Sequence, residues 1–305
     1  MADKNAQTTS ADALSEASTL EMLKRERRAN NAWHKLSRNK TAVIGLVIVV
    51  IMVILAVFAP LIAPQDPNAI DIAHTYLKPG AAGHIFGTDS YGRDLFSRIV
   101  YGARISIFVA IGGTIVGAVI GVLLGLVAGF FGGIADSIIM RIMDGMMAFP
   151  FILLSLILMT ILGTGTLNVI LAIGIANVPN FARVVRGQVH VVKNEEYCNA
   201  ERVLGASNAR ILFRHIFANA LSPIIVYFTL NIASAIISEA ALSFLGLGIT
   251  PPTASWGNIL SDGKNSLQLA PHIATISGIF ILLTVLGFNL LGDGIRDVLD
   301  PKQKR

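Results

Sequence analysis

The chain has 305 residues, 53% of them hydrophobic and only 14% charged, and carries a formal net charge of +5. A water-facing domain devotes about 25% of its residues to charge. A soluble globule is therefore excluded, a disordered chain is excluded by the apolar content, and the lone Cys198 excludes a disulfide framework. The composition is that of an integral membrane protein.

About 20 apolar residues carry a helix across roughly 30 Å of hydrocarbon, and only a helix satisfies its own backbone there. Residues 1–40 form a cytoplasmic tail: the first 20 read as disordered, and 24–40, with Trp33, as a basic juxtamembrane helix on anionic headgroups. The first span occupies 41–62, with its apolar run at 42–59 closed by Pro60 and Pro64; it lies too far into the chain, and is too long, for a cleavable signal. Residues 63–103 form an extracytoplasmic segment rich in Pro, Asp, Gly and aromatic residues, expected to be ordered.

A core of five helices follows at 104–292. Its first span, 105–131, carries Gly113, Gly117, Gly121, Gly125 and Gly129 at a spacing of four, a smooth ridge suited to close helix packing. The next, 142–162, is interrupted by Asp144 and Pro150, with Arg141 and Asp144 spaced to pair on one face. The fourth, 167–181, is thinned by Asn177, Pro179 and Asn180. A polar inner segment with helical periodicity follows at 183–215, then a fifth span at 216–242, whose Glu239 is expected to reach the outer interface. After an outer loop at 243–272 comes the sixth span, 273–291, and a cytoplasmic tail at 293–305.

With both termini inside, the inner segments hold 19 Lys and Arg and the outer ones five, which fixes the orientation: both termini are cytoplasmic. The excess base belongs to inner loops, so no nucleic-acid partner is expected.

No catalytic or metal-binding constellation is present: there is no phosphate loop, no His-Glu-x-x-His, no paired cysteines and no Gly-x-Ser-x-Gly elbow. The six histidines are scattered along the chain. Intramembrane ionisable residues, the mark of ion-coupled transporters, are few. Asn177, Asn180, Thr229, Asn231, Ser234 and Asn289 are candidates for a translocation path; as interhelical hydrogen-bond partners they would look the same. In the inner segment, at about 193–215, Ala200, Val203 and Leu204 share a helix face, Gly205 breaks the helix, and Ser207 or Asn208 caps a second one carrying Ile211, Leu212 and Ile216. Two short helices at a glycine hinge make a projecting knob.

That knob resembles the EAA loop of permease subunits from ATP-binding-cassette importers, with Ala200 and Gly205 on the motif's alanine and glycine; Asn199, Glu201 and Phe217-Ala218 depart from it. The run Phe86-Gly87-Thr88-Asp89-Ser90-Tyr91-Gly92-Arg93-Asp94-Leu95-Phe96-Ser97-Arg98 is similar to the stretch before the second span in the dipeptide/oligopeptide/nickel permease family. Leu242-Ser243-Phe244-Leu245-Gly246-Leu247-Gly248 with Pro251-Pro252 and Trp256-Gly257, and the closing Gly292-Asp293-Gly294-Ile295-Arg296-Asp297, resemble the same family, its C-type permease.

The resemblance implies an all-α, six-span, type I importer permease of the cell membrane, paired with a homologous permease, two cytoplasmic ATPases and an extracytoplasmic substrate-binding protein. It implies a chain that is not itself an enzyme, binds no cofactor, and leaves ATP and magnesium to the ATPases. Ala200, Glu201, Leu204, Gly205, Ala206, Ser207 and Ile211 would couple to an ATPase, and Asp89, Arg93, Asp94 and Trp256 would dock the binding protein or partner permease. Expected cargo is di- or oligopeptides, with nickel, glutathione or murein peptides as alternatives in the same architecture. An ion-coupled secondary transporter and a membrane-embedded enzyme are the rivals from other classes.

Overall fold

The computed structural model describes residues 36–299. The expected disordered tail and most of the basic juxtamembrane helix, Trp33 included, lie outside the described residues, as do 300–305. Within the described residues the chain is all-helical, its only strand-like feature an isolated Thr88–Asp94 bridge.

Helix α1 (Lys40–Val57) starts where Asn39 Oδ1 accepts from the amides of Thr41 and Ala42 at 3.1 and 3.3 Å. A short α2 (Ala59–Ile62) ends it on the outer side. Helix α3 (Leu95–Phe131) is capped by Asp94, which accepts from Ser97 N at 2.7 Å; its 37 residues extend about 55 Å, well beyond the hydrocarbon. Then come α4 (Gly133–Met147), α5 (Phe151–Leu162), α6 (Thr166–Lys193) and α7 (Glu196–Val203). A short α8 (Asn208–Arg210), a π-helical turn (Ile211–Phe217) and α9 (Ala218–Phe244) run on as one rod. Helices α10 (Trp256–Asn265) and α11 (Pro271–Leu299) complete the chain.

Five helices are long and apolar enough to span a membrane, and the pair α4–α5, bent by 91°, makes a sixth when the two are counted as one span. The third expected span is therefore two helices. Pro150 has no amide to give the helix and pushes Phe149 out of helical geometry, and α5, 12 residues long, reaches only about 18 Å. The expected Arg141–Asp144 pair is not made: Asp144 accepts from Arg183 on α6 at 2.7 Å, and Arg186 holds Asp136 through two bonds of 2.5 and 2.7 Å. A partner on the neighbouring helix, offered by the bend, outcompetes one on the same helix. The fourth span runs past residue 181 to Lys193 with Pro179 inside it, taking in the first third of what reads as an inner loop.

The glycine ridge of α3 is the seam against α6. A Cβ on Gly121 would lie 2.5 Å from Phe181 Cβ and 2.7 Å from Val178 O, and one on Gly125 2.5 Å from Ala182 O. No side chain fits there, so the backbones meet. Helix α1 packs on α11 in the same way: a Cβ on Gly45 would lie 2.6 Å from Leu291 N, and Asn39 Nδ2 donates to Asp297 Oδ2 at 3.0 Å. The two ends of the described chain thus meet on one side of the bundle.

Candidate functional site

At the inner end, α7 stops because Leu204 leaves helical geometry and Gly205 takes φ +80°, a left-handed region that a side chain resists. Ala206 N returns to Glu201 O at 3.0 Å, and Ser207 Oγ caps α8 by accepting from Arg210 N at 3.3 Å. Cys198, Ile211, Leu212 and Ile216 are buried among Val185, Val189 and Leu126, rooting the knob in the bundle. Burial pushes the Cys198 thiol above its ordinary pKa. At the tip, Val203 is 88% and Leu204 81% exposed, so two large apolar side chains project uncovered by any other of the described residues. Ala200, Gly205 and Ser207 are exposed beside them, Glu201 and Ala206 are half-buried, and Ile211 is fully buried at the root. The π-turn beneath the knob has no signature in the sequence.

In mid-bundle, Asn177 Nδ2 donates to Asn231 Oδ1 across α6 and α9, and Asn180 Nδ2 donates to Asn177 Oδ1 at 3.3 Å. Thr229 donates to Ile225 O on its own helix at 3.0 Å. Asn177, Thr229 and Asn231 are buried, Asn289 is half-buried and Ser234 is exposed. The Asn177–Asn231 bond joins α6 to α9, and Asn180 supports Asn177 from the same helix.

At the outer end, Asp89 accepts from Tyr91 N at 2.9 Å, Arg93 N at 3.0 Å and Arg93 Nε at 2.6 Å, and forms an ion pair with Arg98, whose Nε lies 3.4 Å away. Arg93 reaches on to Asp262 of α10 at 3.4 Å, and burial holds the Asp262 carboxyl above the usual range against the pull of Arg98 and Arg93. His84 Nδ1 lies 2.9 Å from Asp94 Oδ1. Trp256 donates from Nε1 to Ile99 O at 3.0 Å. Asp89, Arg93, Asp94 and Trp256 are all at most 6% exposed. They brace the 63–94 segment against α3 and α10, beside the exposed Ile72 and Tyr91.

Glu239 corrects its reading: it does not reach the interface but is fully buried, accepting from Ser106 Oγ at 2.9 Å and Ser243 Oγ at 2.8 Å. The i, i+4 spacing of Glu239 and Ser243 is the only sequence signal for this cluster; Ser106 comes from a helix 133 residues away. Among the described residues, no group of three or more His, Cys, Asp or Glu side chains could hold a metal ion.

Residues 121–305 match the family model for the binding-protein-dependent transport system inner membrane component, and 29–79 match the N-terminal TM domain of oligopeptide transport permease C. A dipeptide transport system permease protein of Alkalihalophilus pseudofirmus is 45% identical over 276 residues, 90% of each chain. A glutathione transport system permease protein of Shigella flexneri is 46% identical over 273 residues, 89% of this chain and 90% of that one. Among solved structures, a chain of the MetNI methionine ABC transporter in inward-facing conformations superposes with a TM-score of 0.55 at 18% identity, covering 67% of this chain and 96% of that chain. This last likeness concerns the fold alone.

Proposed function

Because this chain belongs to the binding-protein-dependent transport system inner membrane component family, we propose that it forms one half of the membrane path of an importer for short peptides. The cargo reading rests on relatives named for a dipeptide and for glutathione, itself a tripeptide. Oligopeptides belong to the same reading, with nickel and murein peptides as alternatives for the same architecture.

The observation that carries the mechanism is the uncovered apolar tip at Val203 and Leu204. Burying two such side chains in a partner's cleft is favourable by about 1.5–3 kcal/mol each, and their rigid root in the bundle lets a push at the tip move α6 and α9. In this reading a cytoplasmic ATPase takes the knob, a homologous permease supplies the other half of the path, and a binding protein delivers cargo to the outer face. ATP and its magnesium belong to the ATPases; this chain breaks no bond. Glu201, Leu204, Gly205 and their neighbours transmit the stroke, and Ser234 and Asn289 are the polar groups left to face cargo or the second permease. Affinity purification of the tagged chain from its native membrane tests the reading: stoichiometric ATPase and second permease are expected, and recovery of the chain without either refutes it.

A further inference from the structure

An open cavity of about 740 Å³ lies at the outer end of the bundle, between the segment after α1, the start of α3 and the loop before α10. Its volume suits a ligand of drug-like size. Its lining divides by chemistry. Pro60 and Ile105 give apolar wall, while Asp66, Tyr101 and Arg104 bring an anion, a phenol and a cation to the same space. Asp66 accepts from Asn68 N at 2.8 Å, and among the described residues neither it nor Arg104 makes an ion pair; by contrast, Arg93 and Arg98 nearby share Asp89. Opposite charges that line one cavity without meeting each other match a ligand carrying both signs.

Depth identifies the source of that ligand. The apolar run of α3 begins at Ile105, so Arg104 stands at the boundary between hydrocarbon and water. One helical turn into the membrane, on the same face, Phe108 is 61% exposed, and Phe58 and Leu61, beside the lining Pro60, are exposed as well. Charge above and uncovered apolar side chains below is the profile of a phospholipid, headgroup in the cavity and chains along Phe108. A free peptide has no use for the lower part.

We propose that this cavity is a headgroup site for a zwitterionic outer-leaflet phospholipid, its phosphate on Arg104 and Tyr101 and its ammonium towards Asp66. The site is independent of the cargo and of the coupling mechanism. The test is native mass spectrometry and lipid extraction of the intact complex, equilibrated with phosphatidylethanolamine and phosphatidylglycerol in equal amounts. The wild type is expected to retain phosphatidylethanolamine in preference. Arg104→Gln should lower the retained lipid about tenfold, the effect of losing one charge-assisted contact, and Arg104→Lys should restore most of it. Asp66→Asn should keep bound phospholipid and lose the headgroup preference. Equal retention of both lipids by the wild type, or retention unchanged by Arg104→Gln, overturns the site. So does release of the lipid by millimolar Ala-Ala, which would make the cavity a cargo site. Should Arg104→Gln fail to assemble, the wild-type headgroup preference decides alone.

Discussion

Ser106 Oγ on α3 donates to Glu239 Oε2 on α9 at 2.9 Å, and Ser243 Oγ donates to the other carboxyl oxygen at 2.8 Å. The carboxyl is fully buried, and Trp256 N adds a bond to Ser106 Oγ at 3.2 Å, so α3, α9 and the start of α10 share one polar knot. Glu239→Gln retains an acceptor and a donor for the two hydroxyls. Glu239→Leu strands both, at about 1–3 kcal/mol for each unsatisfied group. Thermal unfolding of the purified complex should show Glu239→Leu melting several degrees below Glu239→Gln; equal melting would remove the knot from the account.

The seam between α3 and α6 gives a steric prediction. Gly121→Val places a branched side chain where a Cβ alone lies 2.5 Å from Phe181 Cβ, whereas nothing stands within 4 Å of a Cβ on Gly145. Overpacking of this kind costs about 1–3 kcal/mol. Membrane-integrated Gly121→Val should fall well below wild type on immunoblots of carbonate-washed membranes, with Gly145→Ala at the wild-type level. Equal amounts of the two would mean the helices can part at that point.

Cys198 yields a chemical one. Its side chain is fully buried, and burial raises the thiol pKa, so the reactive thiolate is scarce near neutral pH and shielded as well. N-ethylmaleimide should leave the native complex unmodified at pH 7 and label it completely in denaturant, as read by intact mass. Fast labelling of the native form would mean that the knob's root opens.

Periodicity and composition make the spans legible because each helix must satisfy its own backbone in lipid, and the glycine ridge is legible because its spacing alone fixes a helix face. What escapes the sequence depends on tertiary choice. Asp144 selects Arg183 over Arg141 only once Pro150 has bent the chain. The continuation of α6 through Pro179 is set by packing on α3, which the local pattern of Asn177, Pro179 and Asn180 argues against. The same holds at the outer end: Asp89, Arg93 and Asp94 are recognisable as a motif, yet their burial follows from Arg98 and Asp262 arriving from other elements. The knob is the most readable part, since Gly205 and Ser207 act locally at the positions they occupy in the chain.

Gly205 has open space around it, so the cost of a side chain within this chain is the left-handed backbone, about 1–2 kcal/mol. Gly205→Arg should therefore reach the membrane in near-normal amount while the added bulk keeps a partner off the tip. Quantitative blotting and co-purification check this. Loss of the chain from the membrane, or full partner recovery with the variant, would each contradict it.

The central claim is that motion enters through the knob and is driven by ATP. Uptake of a labelled dipeptide into proteoliposomes holding the complete complex and its binding protein tests it most directly, comparing wild type with Leu204→Asp, a change at a side chain that is 81% exposed and so neutral to folding. The account predicts accumulation that requires ATP, persists when the proton gradient is collapsed, and falls to background in Leu204→Asp. Accumulation driven by an ion gradient without ATP, or full uptake by Leu204→Asp, would contradict it.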